Sequence, residues 1–178
     1  MTISMETERL LLRPMSADAV EAHITMMQDP RTARFLSPNG EPRARSEDWR
    51  AAASMLGHWQ IRGFGFFTVI EKSTGEWVGR VGPWMPDGWP GLECGWSIIP
   101  DRWGLGYAPE AAVATIRWTF NQFPDLSRII SVIDPGNANS QAVARKIGET
   151  KSAEIFEFWG HRLEVWEAAR EEWLSRSG

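Results

Sequence analysis

Pro100-Asp101-Arg102-Trp103-Gly104-Leu105-Gly106-Tyr107-Ala108-Pro109-Glu110-Ala111-Ala112 decides how this chain is read. The stretch follows an apolar run, crosses two glycines two residues apart, and enters a helical pattern opened by proline. Gly104 and Gly106 can adopt backbone angles closed to other residues, and they let a ligand approach the main chain. Pro109 suits a first helical turn, where its missing N–H would have had no partner. Together these features predict a row of backbone N–H groups at the positive end of a helix dipole, a seat for phosphate or pyrophosphate. A plain strand-to-helix turn uses the same residue types, so the loop alone leaves both readings open. No Lys-Ser/Thr follows the glycines, which excludes the nucleoside-triphosphate loop, and proline at position 109 breaks the dinucleotide spacing.

Outward from this loop, the preceding run Leu92 to Ile99 reads as a strand and Pro109 to Phe123 as a helix with Val113, Ile116, Phe120 and Phe123 on one face. Upstream, Phe64 to Glu71 and Trp77 to Met85 are strands joined by the turn Lys72-Ser73-Thr74-Gly75, and Asp87-Gly88-Trp89-Pro90-Gly91 turns the chain into Leu92. Arg9 to Arg13 is a first strand. A helix with the stripe Val20, Ile24 and Met27 ends at Asp29-Pro30, and a short helical turn covers Thr32 to Leu36. Ser46 is the expected cap of a second long helix with the stripe Trp49, Ala53 and Leu56. Downstream, Arg128 to Ile133 is a buried-type strand, and Asn137 or Asn139 caps a helix ending at Gly148. Ser152 to Glu167 reads as two strands broken at Gly160, with a short charged tail to Gly178. One strand-helix-strand crossover inside an antiparallel arrangement defines an α+β class, with the Pro109 helix laid across one sheet face.

The 178 residues suit a single domain over 1–178 with a substantial core. A formal charge of −4 argues against a general nucleic-acid or anionic-membrane binder, and no apolar run approaches a membrane span. The single cysteine, Cys94, excludes an internal disulfide and a cysteine-rich zinc site, and it fits a reducing cytoplasmic setting. The three histidines, His23, His58 and His161, show no metal-ligand spacing, so no metal is expected; His23 reads as a surface or helix-packing residue. Eleven tryptophans are unusual, and since each indole N–H wants a partner, some should border a cavity or an interface; a homodimer stays open.

Two places could carry chemistry. In Leu92-Glu93-Cys94-Gly95-Trp96-Ser97-Ile98-Ile99, alternation puts Glu93, Gly95, Ser97 and Ile99 on one face. A carboxylate on so apolar a strand is either a solvated strand end or a general base whose pKa partial burial raises. The second place is Asn137-Ala138-Asn139-Ser140-Gln141-Ala142-Val143-Ala144-Arg145-Lys146-Ile147-Gly148, whose Asn and Ser serve at the least as helix-capping residues.

The run Trp103-Gly104-Leu105-Gly106-Tyr107-Ala108-Pro109-Glu110-Ala111 resembles the pyrophosphate loop of the GNAT acetyltransferase superfamily, in the Trp-Gly-x-Gly-Tyr-Ala-x-Glu-Ala form of its ribosomal-protein-alanine N-acetyltransferase subgroup. The wider superfamily prefers Gln or Arg where Trp103 stands. Thr7 to Pro14 looks like the subgroup's opening strand, and Glu93 through Gly104 match its pattern Glu-x-Gly-aromatic-x-x-x-Pro-x-x-Trp-Gly. The resemblance implies a mixed, mostly antiparallel, seven-stranded sheet flanked by helices, with two central strands splayed. It implies acetyl-CoA as donor cosubstrate, held by Trp103, Gly104, Leu105, Gly106, Tyr107 and Ala108 at the pyrophosphate. Main-chain groups of Ser97, Ile98 and Ile99 would pair with the pantetheine arm, and Asn137 and Ser140 would touch it near the sulfur. It implies Glu93 as base, Ser140 as proton donor to the departing thiolate, and an amine acceptor, a small molecule or a protein N-terminus. Ala144 stands where many members carry the acid Tyr, and Glu149 stands where the family's Leu-Gly-Phe ending has Phe. A noncatalytic acyl-CoA-binding module on the same fold is the alternative. Phe35, Leu36, Trp84, Trp89, Phe158, Trp159 and His161 lie where this fold admits acceptors, and the acidic balance favours basic acceptors.

Overall fold

The computed structural model describes residues 3–176. Its centre is an eight-stranded sheet ordered β1-β2-β3-β4-β5-β6-β8-β7, built from Met5–Glu6 (β1), Leu10–Pro14 (β2), Phe67–Glu71 (β3), Trp77–Trp84 (β4), Glu93–Ile98 (β5), Arg128–Ile133 (β6), Thr150–Phe158 (β7) and His161–Ala169 (β8). Neighbouring strands are antiparallel except β5 and β6. The eighth strand, β1, corrects the expected seven. It pairs Met5 with Leu12 and Glu6 with Leu11 across a tight turn closed by Thr7 and Leu10, too short for any periodicity to announce it.

Helices α1 (Val20–Gln28), α2 (Pro30–Leu36) and α3 (Arg45–Arg62) precede the meander; α4 (Tyr107–Gln122), α5 (Ala138–Lys146) and α6 (Arg170–Arg176) follow it. α4 covers the face that carries Leu10, Leu12, Val69, Val78, Cys94 and Ile98, through Ala111, Ala112, Ile116 and Phe120. α1 and α3 cover the other face around Met15, Ala52, Met55 and Phe66. Among the described residues no helix is long and apolar enough to cross a membrane.

Three sequence expectations shift here. α3 buries Asp48, Ala52, Met55 and His58, while Trp49 is 54% exposed, so the true inward stripe lies one residue off the expected one. Asp48 is tolerated inside because Arg43 and Gln28 satisfy it (Arg43 Nη2 at 2.7 Å). The cap is likewise not Ser46; the helix opens after Ala44, whose N–H donates to Glu47 Oε2 at 3.1 Å. The charged tail is a helix, α6, as far as Arg176, because Trp173 is buried and its indole donates to the Ile147 carbonyl at 2.7 Å; Ser177 and Gly178 lie outside the described residues.

Candidate active site

The crossover from β5 to β6 opens the site. The parallel pair is joined only near Glu93 and Ile130, with the Ile130 N–H on the Leu92 carbonyl at 3.0 Å. Past that point β5 stays with β4 and β6 stays with β8, and a wedge opens between them. Backbone groups alternate direction along a strand. The Ile99 N–H is on the Val78 carbonyl at 2.9 Å, and the Ser97 carbonyl crowds Gly79 so closely that a Cβ there would lie 2.2 Å from it. Ser97 and Ile99 therefore turn their main chain toward β4, which corrects the expected trio: Trp96 and Ile98 face the wedge. The Ile98 carbonyl accepts from the Trp103 indole at 2.7 Å, so Trp103 anchors the glycine loop to the end of β5.

A cleft of about 330 Å³ fills the wedge. Its floor is Trp96, Ser97 and Ile98; Trp103, Gly104, Gly106, Tyr107 and Ala108 close one end, and Asn137, Ser140, Ala142 and Val143 form the wall opposite. Phe35 and Leu36 from α2 close over it, and Arg31, Arg102 and Lys146 put positive charge on its rim. Gly104 and Gly106 take φ of 79° and 83°, the left-handed region that the loop needs and glycine supplies. The helix begins at Tyr107 rather than Pro109, so the N–H groups of its first turn stand at the cleft. Leu105 does not line the cleft. Its side chain is half exposed, and its carbonyl accepts from Arg9 at 2.8 Å. Arg9 also grips Glu110 (Nη2 to Oε2, 2.6 Å) and so braces the turn from behind. The Tyr107 hydroxyl is spent away from the cleft, on Glu71 in β3.

On α5, the Asn137 side chain caps the helix by accepting the Ser140 N–H at 3.1 Å. The Ser140 hydroxyl oxygen accepts the Trp96 indole N–H at 3.3 Å, which leaves its own hydrogen free to donate. Ala144 is fully buried, with Trp96, Ile133 and Trp166 against it. A tyrosine has no room there, which accounts for the departure seen in the sequence.

Glu93 lies at the closed end of the wedge, buried, and does not line the cleft itself. Its Oε2 accepts the Trp89 indole N–H at 2.6 Å, and its Oε1 the Val132 N–H at 3.5 Å. Burial pushes its pKa up to about 7, against the pull of those two bonds and of Arg80. Trp89 belongs to an aromatic group with Phe156 and Phe158, and Trp159 at the β7–β8 turn stacks near Phe158 at 4.4 Å between centroids. His161 Nε2 lies 2.7 Å from the Pro38 carbonyl, joining this hairpin to the segment after α2. Trp84 instead stacks in the core on His58 and Phe66.

Two charged groups here were not assigned roles from sequence. Glu149 is buried beside Ser131, whose hydroxyl lies 2.8 Å from Glu149 Oε1 and 2.9 Å from the Cys94 carbonyl, bridging the throat of the wedge. Arg80, on β4, is buried against Phe66. An arginine in the middle of Trp77-Val78-Gly79-Arg80-Val81-Gly82 is a signal of the same kind as Glu93, and His23, for which the sequence leaves surface and helix packing both open, is buried on α1.

Residues 9–150 match the family model described as an acetyltransferase (GNAT) domain. The chain is 30% identical over 169 residues to the uncharacterized protein YkkB of Bacillus subtilis (strain 168), covering 90% of this chain and 92% of that one. Its fold is similar to the crystal structure of an acetyltransferase from Agrobacterium tumefaciens str. C58, with a TM-score of 0.83, 30% identity and 96% of each chain covered. The fold is also that of a ribosomal L7/L12 α-N-protein acetyltransferase in complex with coenzyme A (TM-score 0.75, 15% identity, 96% of this chain and 99% of that chain).

Proposed function

The chain belongs to the GNAT acetyltransferase family and is an acetyl-CoA-dependent acetyltransferase, and from that premise we propose that it acetylates a primary amine by direct attack in a ternary complex. The observation that carries this reading is the wedge: β5 and β6 part beyond Glu93 and Ile130, and the cleft between them runs to the Gly104–Gly106 turn. A coenzyme A donor fits these residues. The Trp96 carbonyl and the Ile98 N–H would pair with the pantetheine amides like an added strand. Gly104, Gly106, Tyr107 and Ala108 would give N–H groups to the pyrophosphate at the α4 dipole, with Arg31, Arg102 or Lys146 on the rim for further phosphate charge.

In this reading Glu93 takes a proton from the acceptor ammonium, directly or through water, and its elevated pKa matches it to work near neutrality. The freed amine attacks the thioester carbonyl, whose growing negative charge is met by the main-chain N–H of Trp96 facing the wedge. The new C–N bond forms as the C–S bond breaks. Ser140 donates its hydrogen to the leaving sulfur and regains one, through water, from the second proton that the acceptor nitrogen sheds as the amide forms; its place in the first turn of α5 favours negative charge there. The acceptor is a small molecule or a protein N-terminus. A cytoplasmic setting belongs to the same proposal, supported by a single buried thiol, Cys94.

Acceptor-dependent release of free thiol from acetyl-CoA, with peptides, polyamines, aminoglycosides and amino acids as acceptors, tests the reading. No release with any of them would overturn it. Gly106→Val should raise the acetyl-CoA dissociation constant about tenfold, roughly 1.4 kcal/mol by calorimetry. A Cβ at Gly106 would lie 3.3 Å from Arg9 Nη2 on a backbone at φ 83°, so the loop must give way. Ser140→Ala should slow turnover by less, about tenfold, because a thiol with pKa of ~8.5 leaves tolerably without help. Its acetyl-CoA affinity should hold, measured in the same calorimeter.

A further inference from the structure

The face of the sheet under α1 and α3 holds a row of polar side chains without partners. Register places Thr68, Arg80 and Ser97 side by side on β3, β4 and β5, pointing to one face. Thr68 Oγ1, Arg80 Nε and Ser97 Oγ are all buried without a hydrogen-bond partner, as are both ring nitrogens of His23 from α1. Buried polar groups in folded proteins are nearly always satisfied, and a buried charge is nearly always paired. Among the described residues no carboxylate lies within ion-pair distance of Arg80, which is only 9% exposed.

The surroundings make this a built position. The Phe66 ring occupies the space left by Gly95, where a Cβ would meet it at 3.0 Å, and the Arg80 guanidinium lies 4.0 Å from that ring's centroid. Stacking holds the guanidinium plane while its edge stays available. The titratable neighbours are Glu93, His23 and Arg43, with Asp48 behind Arg43. Arg43 is neutralised by Asp48 at 2.7 Å. His23 is held neutral, its pKa pulled down to about 3 by burial and then by Arg80 and Arg43. Arg80 itself is pulled down to about 10, by burial first, with the Glu93 carboxylate acting the other way. One unpaired cation, one neutral imidazole and two hydroxyls suit a monoanion. A phosphate dianion would call for a second free cation.

Glu93 stands on the same face of β5, four residues from Ser97, so its Cα is roughly 13 Å from the Arg80 row. The two side chains interact electrostatically without forming an ion pair, and Ser97, beside Arg80, lines the cleft. We propose that Arg80 reads the acceptor: the acceptor is a small amino acid-like molecule whose carboxylate takes the Arg80 fork while its amine faces Glu93. This rests on the assignment of Glu93 to the base side of the reaction. It also reverses the expectation drawn from net charge, because the acidic balance is a property of the whole surface and Arg80 sets the local field.

The test compares kcat/KM for several α-amino acids with that for their carboxamides and decarboxylated amines, using acetyl-CoA and the full chain. The acids should exceed their uncharged counterparts by tenfold or more, and Arg80→Gln should narrow that ratio to within about threefold by loss on the acid side. If Arg80→Gln does not fold, Arg80→Lys carries the comparison. It keeps the charge without the fork, and its ratio should fall at least threefold. An unchanged ratio in the folded variant overturns the inference. Thiol release that is equal or faster with amines lacking a carboxylate overturns it too, and leaves acetyl transfer standing. A carboxylate effect seen only with a dicarboxylic donor such as succinyl-CoA would move Arg80 to the donor side and overturn the acceptor assignment. No release with any amine would sink the catalytic reading instead. The anion site is then read by thermal shift with N-acetylglycine against its amide: stabilisation by the acid alone, lost in Arg80→Gln, supports it, and its absence overturns it.

Discussion

Glu93→Gln is expected to lower the acetylation rate near pH 7 by about 100-fold, the usual contribution of one positioned base. The shape of the loss matters more than its size. With Glu93 intact, the productive pair is a carboxylate and an ammonium, so kcat/KM should rise as Glu93 ionises near pH 7 and then level off. The amide cannot accept a proton, so the variant depends on amine that is already neutral. For an acceptor with pKa of ~8 to 10, its rate should keep climbing with pH, and the deficit should shrink toward pH 9. Glutamine can still accept the Trp89 indole N–H that holds Glu93 at 2.6 Å, so the local geometry should survive. Acetyl-CoA affinity should be retained, since Glu93 does not line the cleft. A variant with the wild-type pH profile and rate would make Glu93 a structural residue of the strand end and leave proton removal to water.

What the sequence made legible were features that depend on local backbone chemistry. Gly104 and Gly106 do sit at positive φ, and Asn137 does cap α5, because a tight turn and a helix terminus each demand particular residues wherever they occur. The reading failed where burial is decided by distant partners. α3 was turned by one residue because its inward face carries Asp48 and His58, which no hydrophobic pattern selects. Arg43 and Gln28 bond the first, and the Phe64 carbonyl lies 2.7 Å from the second. The wedge-facing main-chain groups are hidden for a related reason: side-chain alternation along β5 follows from the sequence, but which main-chain groups face β4 is set by its register with that strand. Arg80 in its apolar strand and Glu149 after Gly148 are visible in the sequence as charges out of place, but not what they rest on. Only the assembled sheet shows one lying on Phe66 and the other sealed behind Ser131.

That sealed carboxyl gives the second large expectation, an increase in stability from Glu149→Gln at neutral pH. Burial raises the Glu149 pKa from 4.5 to about 8, the Ser131 bond opposes this, and the negative charge of Glu93 adds to it. The folded chain thus holds the Glu149 proton more tightly than the unfolded chain does. Between pH 4.5 and about 8, unfolding releases that proton, so wild-type stability falls as pH rises through this window and flattens above it. At pH 7 the linked cost is on the order of 3 kcal/mol. Glutamine carries no such proton and has the same shape. Ser131 has one hydrogen for two acceptors, so with that hydrogen on the Cys94 carbonyl the glutamine amide can donate to the Ser131 oxygen, a pattern equally open to a protonated acid. The variant should match wild type near pH 4 and pull ahead as pH rises, reaching a melting temperature roughly 6–12 °C higher at neutral pH. Glu149→Ala should not share the gain, because it leaves a cavity behind Ser131. Thermal melts of the three proteins from pH 4 to 8 decide the matter. Parallel curves for wild type and Glu149→Gln would mean that Glu149 is ionised in the fold, and that the throat of the wedge is held by charge instead of by a neutral hydrogen-bonded acid.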